Sequence, residues 1–331
     1  MGPERRSTQR RRRRFALALL ATFLGLATTA GVVWALYANS AASDGNELVA
    51  AADWVAPSAS ASVIGKSQGG VPGYIRQGGT YMVYANVSDS GAPASGIAGV
   101  TANASAITTG QTAAVLSAGS FPIGGVTYGH RSGTLTAGAS LAAGTYSYSL
   151  TSKDLASNSR TQSGYTVIVD NTAPTAADVQ TANKTGGTAG RPELGDSITF
   201  TFSEPIDPTS IIANWDGTAT SVVVRVTNAT GDPLTVYNAA NATQLPLGSV
   251  NLGRNDYVTA SATFGASGTA STMVLSGNAI TITFGTASAG PSTASTNGTM
   301  TWTPSASAYD RAGNAAATTA RTETGSADRE F

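Results

Sequence analysis

Asp154-Leu-Ala-Ser-Asn158 and Asp310-Arg-Ala-Gly-Asn314 each set an acid four residues before an amide. Carboxylates and amides at that spacing can do two things. They can bond to nearby backbone and stabilise a turn, or they can supply oxygens to calcium, which takes six to eight of them. Asp170 and Asn171, closing the run Val167-Ile-Val-Asp-Asn-Thr-Ala-Pro-Thr175, add another acid–amide pair. The calcium candidates are therefore Asp154, Asn158, Asp170 and Asn171, expected to converge at one end of a first unit with Asp89 as a further contributor. Asp310 and Asn314 are their counterparts in a second unit. Turn stabilisation is the simpler of the two readings.

Other chemistry is sparse. There is no cysteine, so thiol catalysis, cysteine metal sites and disulfides are excluded. His130, the single histidine, lies in Tyr128-Gly-His-Arg131 and reads as a surface or turn residue. No motif supplies the nucleophile and orienting acid that a catalytic base requires. Glu204 and Asp207 are the nearest paired carboxylates, but Pro205 and Pro208 make that stretch a strand end and turn. Gly69-Gly70 and Gly124-Gly125 lack a following Lys-Ser/Thr and read as turns. Trp54 and Trp215 sit among polar residues, and Trp215, in Ala213-Asn-Trp-Asp-Gly217, is the ligand candidate for a glycan platform. The chain reads as non-enzymatic, with calcium as its one candidate cofactor.

The elements that must position these residues are strands. Tyr81, Val83, Ala85 and Val87 alternate with Met82, Tyr84 and Asn86, and Tyr146, Tyr148 and Leu150 alternate with Ser147, Ser149 and Thr151. Tyr165, Val167 and Val169 continue the style, as do Ile198, Phe200 and Phe202, Val222–Val226 and Ile280–Phe284. Met300, Trp302 and Pro304 share one side of a further strand. Period-two alternation bounded by Gly, Asn, Asp and Ser marks half-buried strands. Three stretches, 186–195, 227–256 and 286–298, read as long loops or added hairpins, where binding surfaces often lie.

The first forty residues set the destination. Seven arginines fall within the first 14 positions, leaving 12 basic against 18 acidic residues beyond them. A mildly acidic body argues against a nucleic-acid partner. Phe15–Tyr37 is 23 residues without a charge, about 35 Å as a helix and enough to cross a hydrocarbon core of about 30 Å. With the arginines before it, this is a signal peptide or an uncleaved signal-anchor helix, with the N-terminus cytoplasmic and the body outside. Ala38-Asn-Ser40 and Ser40-Ala-Ala42 are possible cleavage sites.

Residues 35–54, ALYANSAASDGNELVAAADW, resemble the signal segment of the camelysin and biofilm-fibre group of bacterial exported proteins. The two Asp-x-x-x-Asn corners and the Val-Asp-Asn-Thr-Ala-Pro junction resemble bacterial immunoglobulin-like repeats of surface proteins. Phe202-Ser-Glu-Pro-Ile-Asp207 resembles an early strand end of their relatives, and Ser157 departs from the family's glycine at the corner. The resemblance implies an all-β chain of two tandem immunoglobulin-like antiparallel β-sandwiches after the N-terminal helix. The expected division is 1–41 stub and signal helix, 42–59 polar lead-in, 60–170 first sandwich, 171–176 linker, 177–320 larger second sandwich and 321–331 flexible tail. The expected role is structural or adhesive, at the cell surface or in the extracellular matrix. Expected partners are signal peptidase and the secretion machinery, a cell-wall glycan or surface protein, and the membrane if the helix stays uncleaved. A polysaccharide-binding module and a fibre subunit are the alternatives.

Overall fold

In a computed structural model, residues 53–331 are described; the arginine run, the helix expected over 15–37 and most of the lead-in lie outside them. The described residues are all-β, with one turn of 3₁₀ helix at Pro208–Ser210. Among them, no helix is long and apolar enough to cross a membrane.

The first sheet contains β1 (Ser58–Lys66), β2 (Tyr74–Ile75), β3 (Thr80–Ser88), β4 (Ile97–Asn103), β5 (Ala114–Ile123), β6 (Val126–Ser132), β7 (Leu135–Thr136), β8 (Gly144–Asp154) and β9 (Ser159–Val169). Their order is β1-β3-β6-β5-β4-β8-β9-β2, with β7 beside β3. All pairs are antiparallel except β2 with β9. The second sheet contains β10 (Ala176–Ala182), β11 (Ser197–Phe202), β12 (Thr220–Val226), β13 (Leu234–Asn238), β14 (Ser249–Asn251), β15 (Ala262–Phe264), β16 (Ser271–Ser276), β17 (Ala279–Thr283), β18 (Thr301–Thr303) and β19 (Arg321–Thr322). It runs β10-β11-β17-β16-β12-β13-β14-β18-β19, with β15 beside β12.

Alternation sets the register, because successive side chains leave opposite faces of a strand. In β8 it buries Tyr148 and Leu150, then Ser152, then Asp154 at the strand's last position. An acid is thus delivered to the buried face by the same period that delivers the leucine. In the second half Ile198, Phe200 and Phe202 turn inward from β11, and Met300, Trp302 and Pro304 are buried together. Trp302 packs edge-on to Phe200 and Phe202 at ring distances of 5.2 and 4.8 Å. Each half keeps its own apolar cluster. Of the expected long loops, 227–256 holds the β13 and β14 additions.

The segment 321–331, expected as a flexible tail, is built in. β19 pairs with β18, and Phe331 is buried against Tyr257 and Phe284. Its polar composition concealed this, since only Glu330 and Phe331 turn inward.

Candidate functional site

The two corners are near copies. At the end of β8, Asn158 N donates to Asp154 Oδ1 at 2.7 Å and Asn158 Nδ2 donates to Asp154 Oδ2 at 2.8 Å. In the second half Asn314 N and Nδ2 donate to Asp310 Oδ1 and Oδ2 at the same two distances. The residue before each asparagine is left-handed, Ser157 at φ 75° and Gly313 at φ 93°. That conformation carries a steric penalty for any residue with a Cβ, which is why glycine is favoured there.

Each asparagine then reaches across its half to the chain's point of arrival. Asn158 Nδ2 also donates to Asp53 O at 2.7 Å, and Asn314 Nδ2 to Asp170 O at 2.9 Å. Asp53 and Asp170 begin matching pentapeptides, Asp53-Trp-Val-Ala-Pro57 and Asp170-Asn-Thr-Ala-Pro174. In both, the proline holds the residue before it extended as the chain enters its first strand.

A third acid completes each corner from the end of the second long strand. Asp89 follows β3 in the dipeptide Ser88-Asp89, and Glu204 follows β11 in Ser203-Glu204. Asp53, Asp89 and Asp154 each bring a carboxylate oxygen within 4.8 Å of the others, and so do Asp170, Glu204 and Asp310. Such a triad can hold a cation or a proton, or simply accept hydrogen bonds.

In the first triad every carboxylate oxygen already accepts a hydrogen bond. Asp53 takes Val55 N and the Ser95 N and Oγ, Asp89 takes Gly91 N and Gly96 N, and Asp154 takes its asparagine. The backbone bond from Val55, then that from Ser95, holds the Asp53 carboxyl below its ordinary range. In the second triad burial raises Asp310. Burial, reinforced by the charges of Asp170 and Asp310, pushes Glu204 up to about 7. The second triad therefore holds a proton close to neutrality, where the first is a fully bonded set of carboxylates.

The expected convergence of Asp154, Asn158, Asp170 and Asn171 at one end of the first unit is corrected by this geometry. Asp154 and Asn158 group with Asp53 and Asp89, while Asp170 groups with Glu204, Asp310 and Asn314. Asn171 joins neither triad. It accepts from Gln77 N and donates to Leu141 O, both at 2.8 Å, tying together two loops of the first half.

The halves meet at a buried ion pair. Lys66, at the end of β1, pairs with Asp207, and the two side chains are 4% and 0% exposed. Asp207 also accepts Val71 N, Thr209 N and Thr209 Oγ1. Lys66 Nζ donates to Arg311 O at 3.0 Å and sits 5.7 Å from the Tyr309 ring centre. No protein-family model matches this chain, and no curated protein is significantly similar to it.

Two sequence expectations fail here on packing. Trp215 is buried in the second core, with its Nε1 donating to Thr218 O at 2.6 Å, so it offers no glycan platform. Its polar neighbours form a turn that faces outward while the indole points in; among the described residues the exposed tryptophan is Trp54, at 80%. His130 is a buried strand residue rather than a surface or turn one. Burial lowers its pKa, and its Nδ1 has no protein partner. It lines a cleft of about 600 Å³ between the diverging ends of β4 and β5.

Asp53 and Lys66 were not expected as site residues, and Glu204 and Asp207, weighed only as a carboxylate pair, belong to separate groups. The repeated Asp-x-x-Ala-Pro pentapeptide and the repeated Ser-acid dipeptide were the available signals for Asp53 and Glu204. Nothing local announces the ion pair, whose members are 141 residues apart.

Proposed function

We propose that this chain is a non-enzymatic structural protein of two tandem immunoglobulin-like β-sandwiches, exported to the cell surface or extracellular matrix and serving as a stiff spacer or adhesive stalk. The observation that carries this reading is the repeated clamp. In each half the corner asparagine holds the backbone carbonyl of the aspartate that introduces the half. The acids and amides whose types could do chemistry are thereby engaged in fastening backbone. The buried Lys66–Asp207 pair supports stiffness between the halves, because swinging one half away would expose and separate two paired charges. Export is supported by the arginine run and the uncharged stretch 15–37.

The polysaccharide-binding alternative loses its platform with the burial of Trp215. N-terminal sequencing of the protein from separated membrane, medium and cytoplasmic fractions tests the reading. It expects a full-length membrane form, or a medium form beginning near residues 40–42. Recovery of intact protein from the cytoplasm alone would overturn it.

A further inference from the structure

A third acidic cluster lies far along the chain from both corners and is unlike them in one respect. Glu323, Asp328 and Glu330 each bring a carboxylate oxygen within 4.8 Å of the others. Glu330 is 1% exposed. Its Oε2 accepts from Thr181 Oγ1 at 2.6 Å, while its Oε1 is buried with no hydrogen-bond partner. Glu323 Oε1 accepts from Met300 N at 2.9 Å, and Asp328 stands at the surface, so the group has a polar face open to water. Among the described residues, no lysine or arginine forms an ion pair with any of the three.

A buried carboxylate oxygen without a donor is costly unless something positive reaches it. The surroundings make matters worse rather than better. Asp178 adds a further negative charge near Glu323, and Asp328 bears on both glutamates. Burial first, then the charges of Glu323 and Asp328, push Glu330 up to about 8. Hydrogen bonds answer this strain in the first corner, where each oxygen is taken. Here Glu330 Oε1 is buried without a partner, and a carboxylate oxygen of Glu330 lies within 4.8 Å of one on each of the other two acids.

We propose that Glu323, Asp328 and Glu330 form a calcium site that fastens the closing segment of the chain to the second sheet. The ligands are all hard oxygens with no imidazole or thiolate, which selects calcium or magnesium over zinc and copper. Their spacing suits an ion with flexible oxygen bonds of about 2.3–2.6 Å, with water filling the remaining positions. Magnesium demands a tighter octahedron and sheds its water reluctantly, so it is the weaker occupant. The ion would join Glu323 beside β19, Asp328, and Glu330, which is itself bonded to Thr181 of β10. It would thereby hold Phe331 in its slot against Tyr257 and Phe284. This inference does not rest on the surface-protein reading.

The test is calorimetric titration of calcium chloride alone into the chelator-treated full chain, with terbium luminescence sensitised by Tyr257 as a second readout. Tyr257 Oη lies 2.9 Å from Glu330 N, close enough to report on the site. The expected result is one site with a dissociation constant of roughly 10⁻⁴–10⁻³ M, the weak end of calcium affinities, as suits three carboxylates with water filling the other positions. Asp328→Asn, at the surface, and Glu330→Gln should each weaken binding about tenfold or more, the loss of one charged ligand. Asp89→Asn and Glu204→Gln, in the two corners, should leave it within about twofold. Metal-free Glu330→Gln should melt no lower than wild type, which separates a lost ligand from a lost fold. No saturable binding up to about 10 mM calcium, or binding that survives both Asp328→Asn and Glu330→Gln, would overturn the proposal.

Discussion

Lys66→Met puts the connection between the halves to a quantitative test. The substitution keeps the aliphatic stem and removes the ammonium, leaving Asp207 fully buried with three donors, Val71 N at 3.0 Å, Thr209 N at 2.9 Å and Thr209 Oγ1 at 2.7 Å. Breaking a buried ion pair by removing one partner costs about 3–5 kcal/mol. The three remaining donors place this case at the low end, about 3 kcal/mol. Asp207→Asn should cost a similar ~3 kcal/mol, because it strands a buried ammonium whose remaining partner is Arg311 O. The double variant removes both charges. It leaves one backbone or hydroxyl donor misfitted and Arg311 O unpaired, so its cost should also be about 3 kcal/mol rather than about 6. The coupling energy is then about 3 kcal/mol. Urea unfolding of the full chain measures it. With a slope of about 3 kcal/mol per molar, each single variant should shift the midpoint by about 1 M. With Trp34 and Trp54 replaced by phenylalanine in every variant compared, fluorescence of Trp215 and Trp302 reports the second half, and hydrogen exchange of β3 and β8 amides reports the first. The two probes should coincide in wild type and separate in Lys66→Met. A shift below about 0.3 M, or costs that add in the double variant, would refute the reasoning.

Four further outcomes follow from the corners. Gly313→Ala should destabilise by about 1–2 kcal/mol, since φ is +93° while the added Cβ meets only ordinary contacts; Ser157→Gly, at φ +75°, should gain up to about 1 kcal/mol in the same melt. Asn314→Ala removes the bonds to Asp170 O and Asp310 Oδ2 and should cost about 2–3 kcal/mol by urea midpoint; an unchanged midpoint would sink the clamp. Glu204 titrates near 7 folded against 4.5 ordinarily, so the folded state holds its proton more tightly. Stability should therefore fall as pH rises from about 4.5 to about 7, by on the order of 2 kcal/mol after screening. With chelator present, melting curves of Glu204→Gln should lose that slope.

Strand periodicity was legible because half-buried strands write burial into every second residue. The alternation Tyr146, Tyr148, Leu150 was correct, and one continued count would have placed Asp154 inward as well. The corners were legible because their bonds are local, spanning four residues. Of the acids that meet them, Asp89 was anticipated beside Asp154, whereas Asp53, which lies ahead of β1, was not, since only the folding of the chain brings it to Asp154. Trp215 misled because its neighbours are polar for the sake of a turn, whereas the indole serves the core. The closing segment misled for the opposite reason: its small polar residues dilute two buried ones to the point of invisibility.

The span of the clamps also sets an order of events for a chain made or threaded from its N-terminus. Asp53 waits for a partner 105 residues later, and β9 follows that partner directly, so the first half can close once Val169 has emerged. Until then its leading edge is free, and afterwards it is a finished body. The second half repeats the wait across 144 residues, from Asp170 to Asn314. Lys66 is the exception, because its carboxylate arrives 141 residues later and its carbonyl 245 residues later. The first body is thus born with a solvated ammonium at the end that will be covered, which keeps that surface wet and discourages premature association. The same side chain is locked only once the second half has arrived, so the finished tandem is assembled as a sequence of closures rather than one collapse.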